Sequence, residues 1–149
     1  MKLILVLIEN LDILSLQSGS IQSTGLYFVG LSFSIWVAMR VSSVVSQRAA
    51  DNVVMKAIAS IYGIGVVYYF NMTLSFYAYN MELTGHRLAT LKASGGEVSA
   101  ANMDFISNVG ASTTPPTFSL VPSDPVAYPL LIAILAIILL PLWGPQDDA

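Results

Sequence analysis

Three stretches of the chain run without a charged side chain for long enough to cross a bilayer, and the polar positions gather between them. Crossing about 30 Å of hydrocarbon takes roughly 20 helical residues. The first charge-free window opens at Ile13 and closes at Met39. Its apolar part begins near Gly25, so the pattern predicts a first transmembrane helix over 25–46, with Arg40 near its end. The second window, Ala57 to Met81, is dense in Ile, Val, Tyr and Phe. Beyond Glu82, Leu83, Leu88 and Leu91 keep helical spacing as far as the breaker Ser94-Gly95-Gly96. A second helix over 52–93 follows, about 60 Å long and longer than a bilayer is thick. The third stretch spans 127–143, short but sufficient if upright, with Pro129 in the first turn, where its missing N–H costs nothing.

The flanking segments read differently. In residues 1–20, Leu3, Leu7, Leu11 and Leu14 share one helical face while Glu9 and Asp12 share another, which predicts an interfacial helix lying along a membrane. A fourth, distorted span over 3–16 is the alternative. The opening residues imitate a signal peptide, but Glu9 interrupts the apolar run and no small-residue cleavage site follows, so the segment is expected to stay. Segment 94–126 predicts a short helix, about Glu97 to Val109, striped by Val98, Phe105 and Val109. A tether through Thr113-Thr114-Pro115-Pro116-Thr117, Pro122 and Pro125 comes after it. Residues 144–149 form an acidic tail with Asp147 and Asp148.

Composition agrees with lipid burial. Of the 149 residues 55% are hydrophobic and only 10% charged, against about 25% charged in soluble domains. A buried soluble bundle is the competing reading, and it lacks the polar faces such helices need. Barrel strands would alternate in runs of about ten residues, which is not the pattern here. The expected fold class is an all-α integral membrane protein with three transmembrane helices, an N-terminal interfacial helix and a partly helical extramembrane loop. Net charge is −3 with scattered Lys and Arg, so no basic patch exists for nucleic acid. Arg40, Arg48 and Lys56 against Asp51 place loop 46–52 on the cytoplasmic side of a multi-pass protein. Segment 83–126, carrying Glu82, Glu97, Asp104 and Asp124 at or near it, then lies opposite. Lys2 pulls weakly the other way.

Small residues recur every four positions on the first span: Gly30, Ser34, Ala38, Ser42 and Ser46. Lipid offers no hydrophobic drive for helix pairing, so close approach through small residues does that work. Ala59, Gly63 and Gly65 offer a partner surface on the second span. A strict four-residue row drifts around a helix, so one partner cannot cover it, and part of it is expected to face another chain. Tyr27, Tyr77, Tyr79, Tyr128 and Trp143 stand where interfacial aromatic belts stand. Tyr62, Tyr68, Tyr69 and Phe70 lie deeper and read as packing or as the wall of a quinone, lipid or pigment groove. Asn71, an intramembrane amide, is expected to face protein.

Catalytic chemistry finds little to work with. The chain has no cysteine and a single histidine, which leaves no Cys-ligated metal, no disulfide and no Ser-His-acid set. His86, near Met81 and Glu82, makes a poor metal site alone and reads as solvated or surface-pairing. No phosphate-binding loop or dinucleotide fingerprint appears, and no acid lies within a span. The expectation is therefore not an enzyme but an accessory subunit stabilising a larger membrane complex. An energy-transducing one, respiratory or photosynthetic and hence tied to electron transport, is favoured. Its partners are other transmembrane subunits and lipids. It carries no cofactor of its own beyond a lipid or quinone at a subunit interface. The alternatives are a structural protein of a viral inner membrane or secretion apparatus, and a small oligomeric pore or holin-like protein lined by the serines of span one.

Overall fold

The computed structural model describes residues 2–144; of residues 2–7, 9 and 10 it describes the backbone alone. It is all-helical, with four helices and no strand among the described residues. They are α1 (Lys2–Arg48), α2 (Val53–Ala93), α3 (Ala100–Asn108) and α4 (Ala127–Trp143). The stretch Leu11–Arg48 of α1 and the whole of α2 are long and apolar enough to cross a membrane, while α4 is apolar but shorter. The acidic tail with Asp147 and Asp148 lies outside the described residues.

One expectation about the helices needs correction. An interfacial helix over 1–20 ending before a separate span at 25–46 is not what forms, because α1 runs unbroken from Lys2 to Arg48. The reason is local. No proline precedes Pro115, and single glycines such as Gly19 and Gly25 cost a helix only about 1 kcal/mol each. Serines and threonines along α1 turn their hydroxyls back onto the helix. Thr24 Oγ1 donates to the Ser20 carbonyl at 2.8 Å, and Ser32 Oγ to that of Phe28 at 2.8 Å.

The other ends follow from capping. Asn52 Oδ1 accepts from the Met55 N–H at 3.1 Å and starts α2. At the far end Gly95 adopts φ +85°. Gly96 N–H then reaches the Leu91 carbonyl and Gly95 N–H that of Lys92, each at 3.0 Å, the paired bonds of a Schellman stop. The short helix begins at Ala100, later than expected from Glu97, because Ser99 Oγ accepts from Asn102 N–H at 3.2 Å. Gly110, at φ +63°, closes α3 with the same paired geometry onto Ser107 and Ile106. Pro141 did not end the third apolar stretch: α4 continues through it to Trp143.

The helices pack as two compact units. The first takes the described residues up to Gly25 together with Ser75–Val121; the second takes Leu26–Leu74 and the described residues from Pro122 onward. The core of the first is Ile13, Leu88 and Leu91, covered by Val98, Phe105 and Ile106. The core of the second is Val45, Ala59 and Leu142, flanked by Val41, Ala49 and Leu139.

Candidate helix-packing site

In the second unit the small residues of α1 and α2 make room for α4. Ile138 is completely buried. A Cβ built on Gly63 would stand 2.5 Å from Ile138 Cγ2, so only glycine allows α4 this close to α2. From α1, Ser42 is also completely buried and donates its Oγ hydrogen to the Ile138 carbonyl at 2.5 Å. Ala38 and Ala59 are buried as well. The expected pairing of the first two spans through Gly63 is therefore corrected. Gly63 receives the third apolar helix, because α4 is built of bulky Leu and Ile and the narrowing must come from its neighbours.

The rest of the row is less buried than Ala38 and Ser42. Gly30 is exposed with open space above it, Ser34 is half-buried and bonds back to the Gly30 carbonyl at 3.0 Å. Ser46, half-buried, turns to the Ser43 carbonyl at 2.9 Å, and its neighbour Val45 takes the core position instead. Gly65 meets open space. Asn71 is half-buried.

The aromatic positions divide by what they hold. Trp143 Nε1 donates to Ser60 Oγ at 2.9 Å, Ser60 in turn donates to the Lys56 carbonyl at 2.8 Å, and Lys56 Nζ lies 5.5 Å from the Trp143 ring centre. This ties the start of α2 to the end of α4. Tyr128 donates to the Pro122 carbonyl at 3.2 Å and pins the entry to α4. Tyr27 is exposed, and Phe28 beside it meets Phe70 edge-on at 5.7 Å. Tyr62, Tyr68 and Tyr69 are exposed rather than packed.

The first unit is built on a different close approach, which sequence reasoning missed. A Cβ on Gly85 would come within 2.6 Å of both Val109 Cγ2 and Ala111 Cβ, so the chain leaving α3 crosses directly over α2 there. His86 Nδ1, next along α2, bonds the Ser112 carbonyl at 2.9 Å; a carbonyl only accepts, so Nδ1 carries the proton. The Pro-rich tether is anchored by Phe118, whose ring meets Phe76 at 4.7 Å and Tyr79 at 5.8 Å. No group of three or more His, Asp or Glu side chains stands ready for a metal among the described residues.

Comparison with protein-family models, with curated proteins and with solved structures finds no match to this chain.

Proposed function

We propose that the protein is an accessory, non-catalytic subunit that packs within a larger membrane assembly and stabilises it. The observation that carries this reading is the apolar surface left uncovered along helices long enough to span a bilayer. In the apolar windows of α1 and α2 only 17% of residues are buried, which is unlike the core helix of a water-soluble bundle. Leu26, Val29, Phe33 and Trp36 on α1, Ile61 and Ile64 on α2, and Ile132 and Ile137 on α4 are exposed. In this reading α1, α2 and α4 each cross the membrane, the amino-terminal part of α1 lies at or beyond the interface, and loop 46–52 faces the cytoplasm.

Lipid would satisfy the aliphatic faces. Gly30 and its half-buried neighbour Ser34 suit a companion helix better, since small residues let backbones approach. An energy-transducing complex is the class proposed first, because the exposed Tyr62, Tyr68 and Tyr69 surface suits the wall of a flat quinone or pigment site. A pore lined by the serines of α1 is disfavoured, since Ser42 is sealed against α4.

Mild-detergent purification from the native membrane, followed by mass spectrometry of what accompanies the protein, tests the reading. Stoichiometric retention with larger membrane subunits is expected. Recovery as a lone, monodisperse monomer overturns it, and a chain that stays in the aqueous fraction without detergent overturns the membrane assignment itself.

A further inference from the structure

We infer that Met81 is a site of reversible sulfoxidation, and that the Gln17 amide holds the sulfoxide oxygen and so fastens α1 to α2. Gln17 Nε2 donates to Met81 Sδ at 3.7 Å, from the first helix to the second. Both side chains are half-buried and line a hollow of about 180 Å³ in the first unit. Leu16, Tyr77 and Arg87, also on its lining, are exposed, which leaves the hollow open to small solutes.

The lining is mixed: Leu16, Ile21 and Leu83 stand with Ser20, Asn80 and Thr84. A thioether is a weak acceptor, so the Gln17 N–H gains little from the contact it makes. An oxygen set on that sulfur is a much stronger acceptor, and the hollow gives it room. Sulfoxidation ordinarily loosens a protein, because it puts a polar, chiral group into an apolar core. The core of this unit is Ile13, Leu88 and Leu91, and Met81 stands outside it. The usual sign should therefore reverse here.

The co-reactant is a hydroperoxide. A lone pair on Sδ attacks one peroxide oxygen, so that an S–O bond forms as the O–O bond breaks. The sulfur gives up two electrons and the peroxide takes them. The departing oxygen picks up the proton of the transferred one and leaves as water or an alcohol. Gln17 approaches the sulfur from one side only, so an oxygen within its reach is favoured over one on the opposite side. The folded protein should then yield the two sulfoxide epimers unequally, and epimer-specific reductases tell them apart.

The test treats the full chain in detergent with hydrogen peroxide, maps the added oxygen by peptide mass spectrometry and records Tm before and after. Met81→Leu, treated identically, subtracts what the other methionines contribute. Met81 is expected to gain oxygen and to raise Tm by about 2–4 °C over that control, the shift one net hydrogen bond gives a chain of this size. In Gln17→Leu the same oxidation should lower Tm instead. The epimer ratio gives a second reading that needs no variant: unequal in the folded protein, equal after oxidation in denaturant. A Met81 that stays a thioether once the exposed Met55 is fully converted overturns the inference. So does a gain in Tm that survives Gln17→Leu, a loss of Tm in the unaltered protein against its control, or equal epimers from the folded chain.

Discussion

In the second unit α1 and α2 are held by a third helix pressed against glycine and serine, with Ile138 filling the space that Gly63 leaves. In the first unit the same two helices are bridged by α3, nine residues long, and by the irregular chain that follows it over Gly85. One arrangement is a small-residue socket for a bulky helix; the other is a side-chain core under a short cover. Polar groups differ in the same way. The second unit buries Ser42 with its hydroxyl spent on another helix. The first buries Thr84 bonded to its own helix at Asn80, and Ser75, whose Oγ has no hydrogen-bond partner. The socket fixes a polar group between helices, whereas the covered core leaves Thr84 to its own helix.

The largest effect should come from emptying the socket. Ile138→Ala removes a fully buried side chain and is expected to cost about 2–5 kcal/mol, read as a lowered Tm in detergent. Both tryptophans, Trp36 and Trp143, belong to the second unit, so their fluorescence should report the loss directly. Leu88→Ala removes an equally buried side chain from the first unit and should cost a similar amount. Its signature should be different: faster proteolysis within 109–121, with the tryptophan signal little changed at first. A tryptophan transition that shifts equally in both variants would dissolve the distinction between the units.

Gly63→Ala comes next, at about 1–3 kcal/mol, because the added methyl collides with Ile138. Combining it with Ile138→Ala should cost less than the sum of the two, since the second change removes the atom struck by the first. Strict additivity would mean that the close approach of α2 and α4 is not the constraint.

The apolar helices were legible because hydropathy and capping speak locally. Asn52, the Gly95-Gly96 stop and the 127–143 boundaries can each be read within a few residues. The small-residue row on α1 was legible too, but not its partner. Leu and Ile recur on every face of α4, so nothing in its pattern marks Ile138 and Leu142 as the inward side. Gly85 was invisible for a related reason: a lone glycine inside a helix acquires meaning only from what crosses it, here Val109 and Ala111. The break expected between 20 and 25 followed the scarcity of apolar residues before Gly25, but Thr24 turns its hydroxyl back onto the Ser20 carbonyl and α1 runs on through the stretch. Asp12 and Arg87 line one hollow from two different helices, a juxtaposition that no single window of sequence displays.

A smaller effect is expected at Ser42. Ser42→Ala deletes the bond to the Ile138 carbonyl while keeping the fit, and interhelical bonds of this kind average about 0.6 kcal/mol in membrane proteins. A loss near that value, seen as a modest Tm shift, keeps the hydroxyl secondary to the shape of the socket. A loss approaching that of Ile138→Ala would invert the account and make the hydrogen bond the organising contact.

The smallest effect on the chain itself should come from Gly30→Leu, because nothing stands within 4 Å of the Cβ that glycine lacks. Gly30 and Gly63 are both small residues on long apolar helices, yet only Gly63 is occupied within this chain. Purified alone in detergent, the Gly30→Leu protein should melt as the unaltered one does. In native membranes the same change should strip it from its companions, because a leucine there keeps a neighbouring backbone away. Unchanged melting with lost co-purification would mean that the exposed half of the row is kept small for another chain. Unchanged melting with intact co-purification would leave that half to lipid and move the search for the partner surface to the aromatic face of α2.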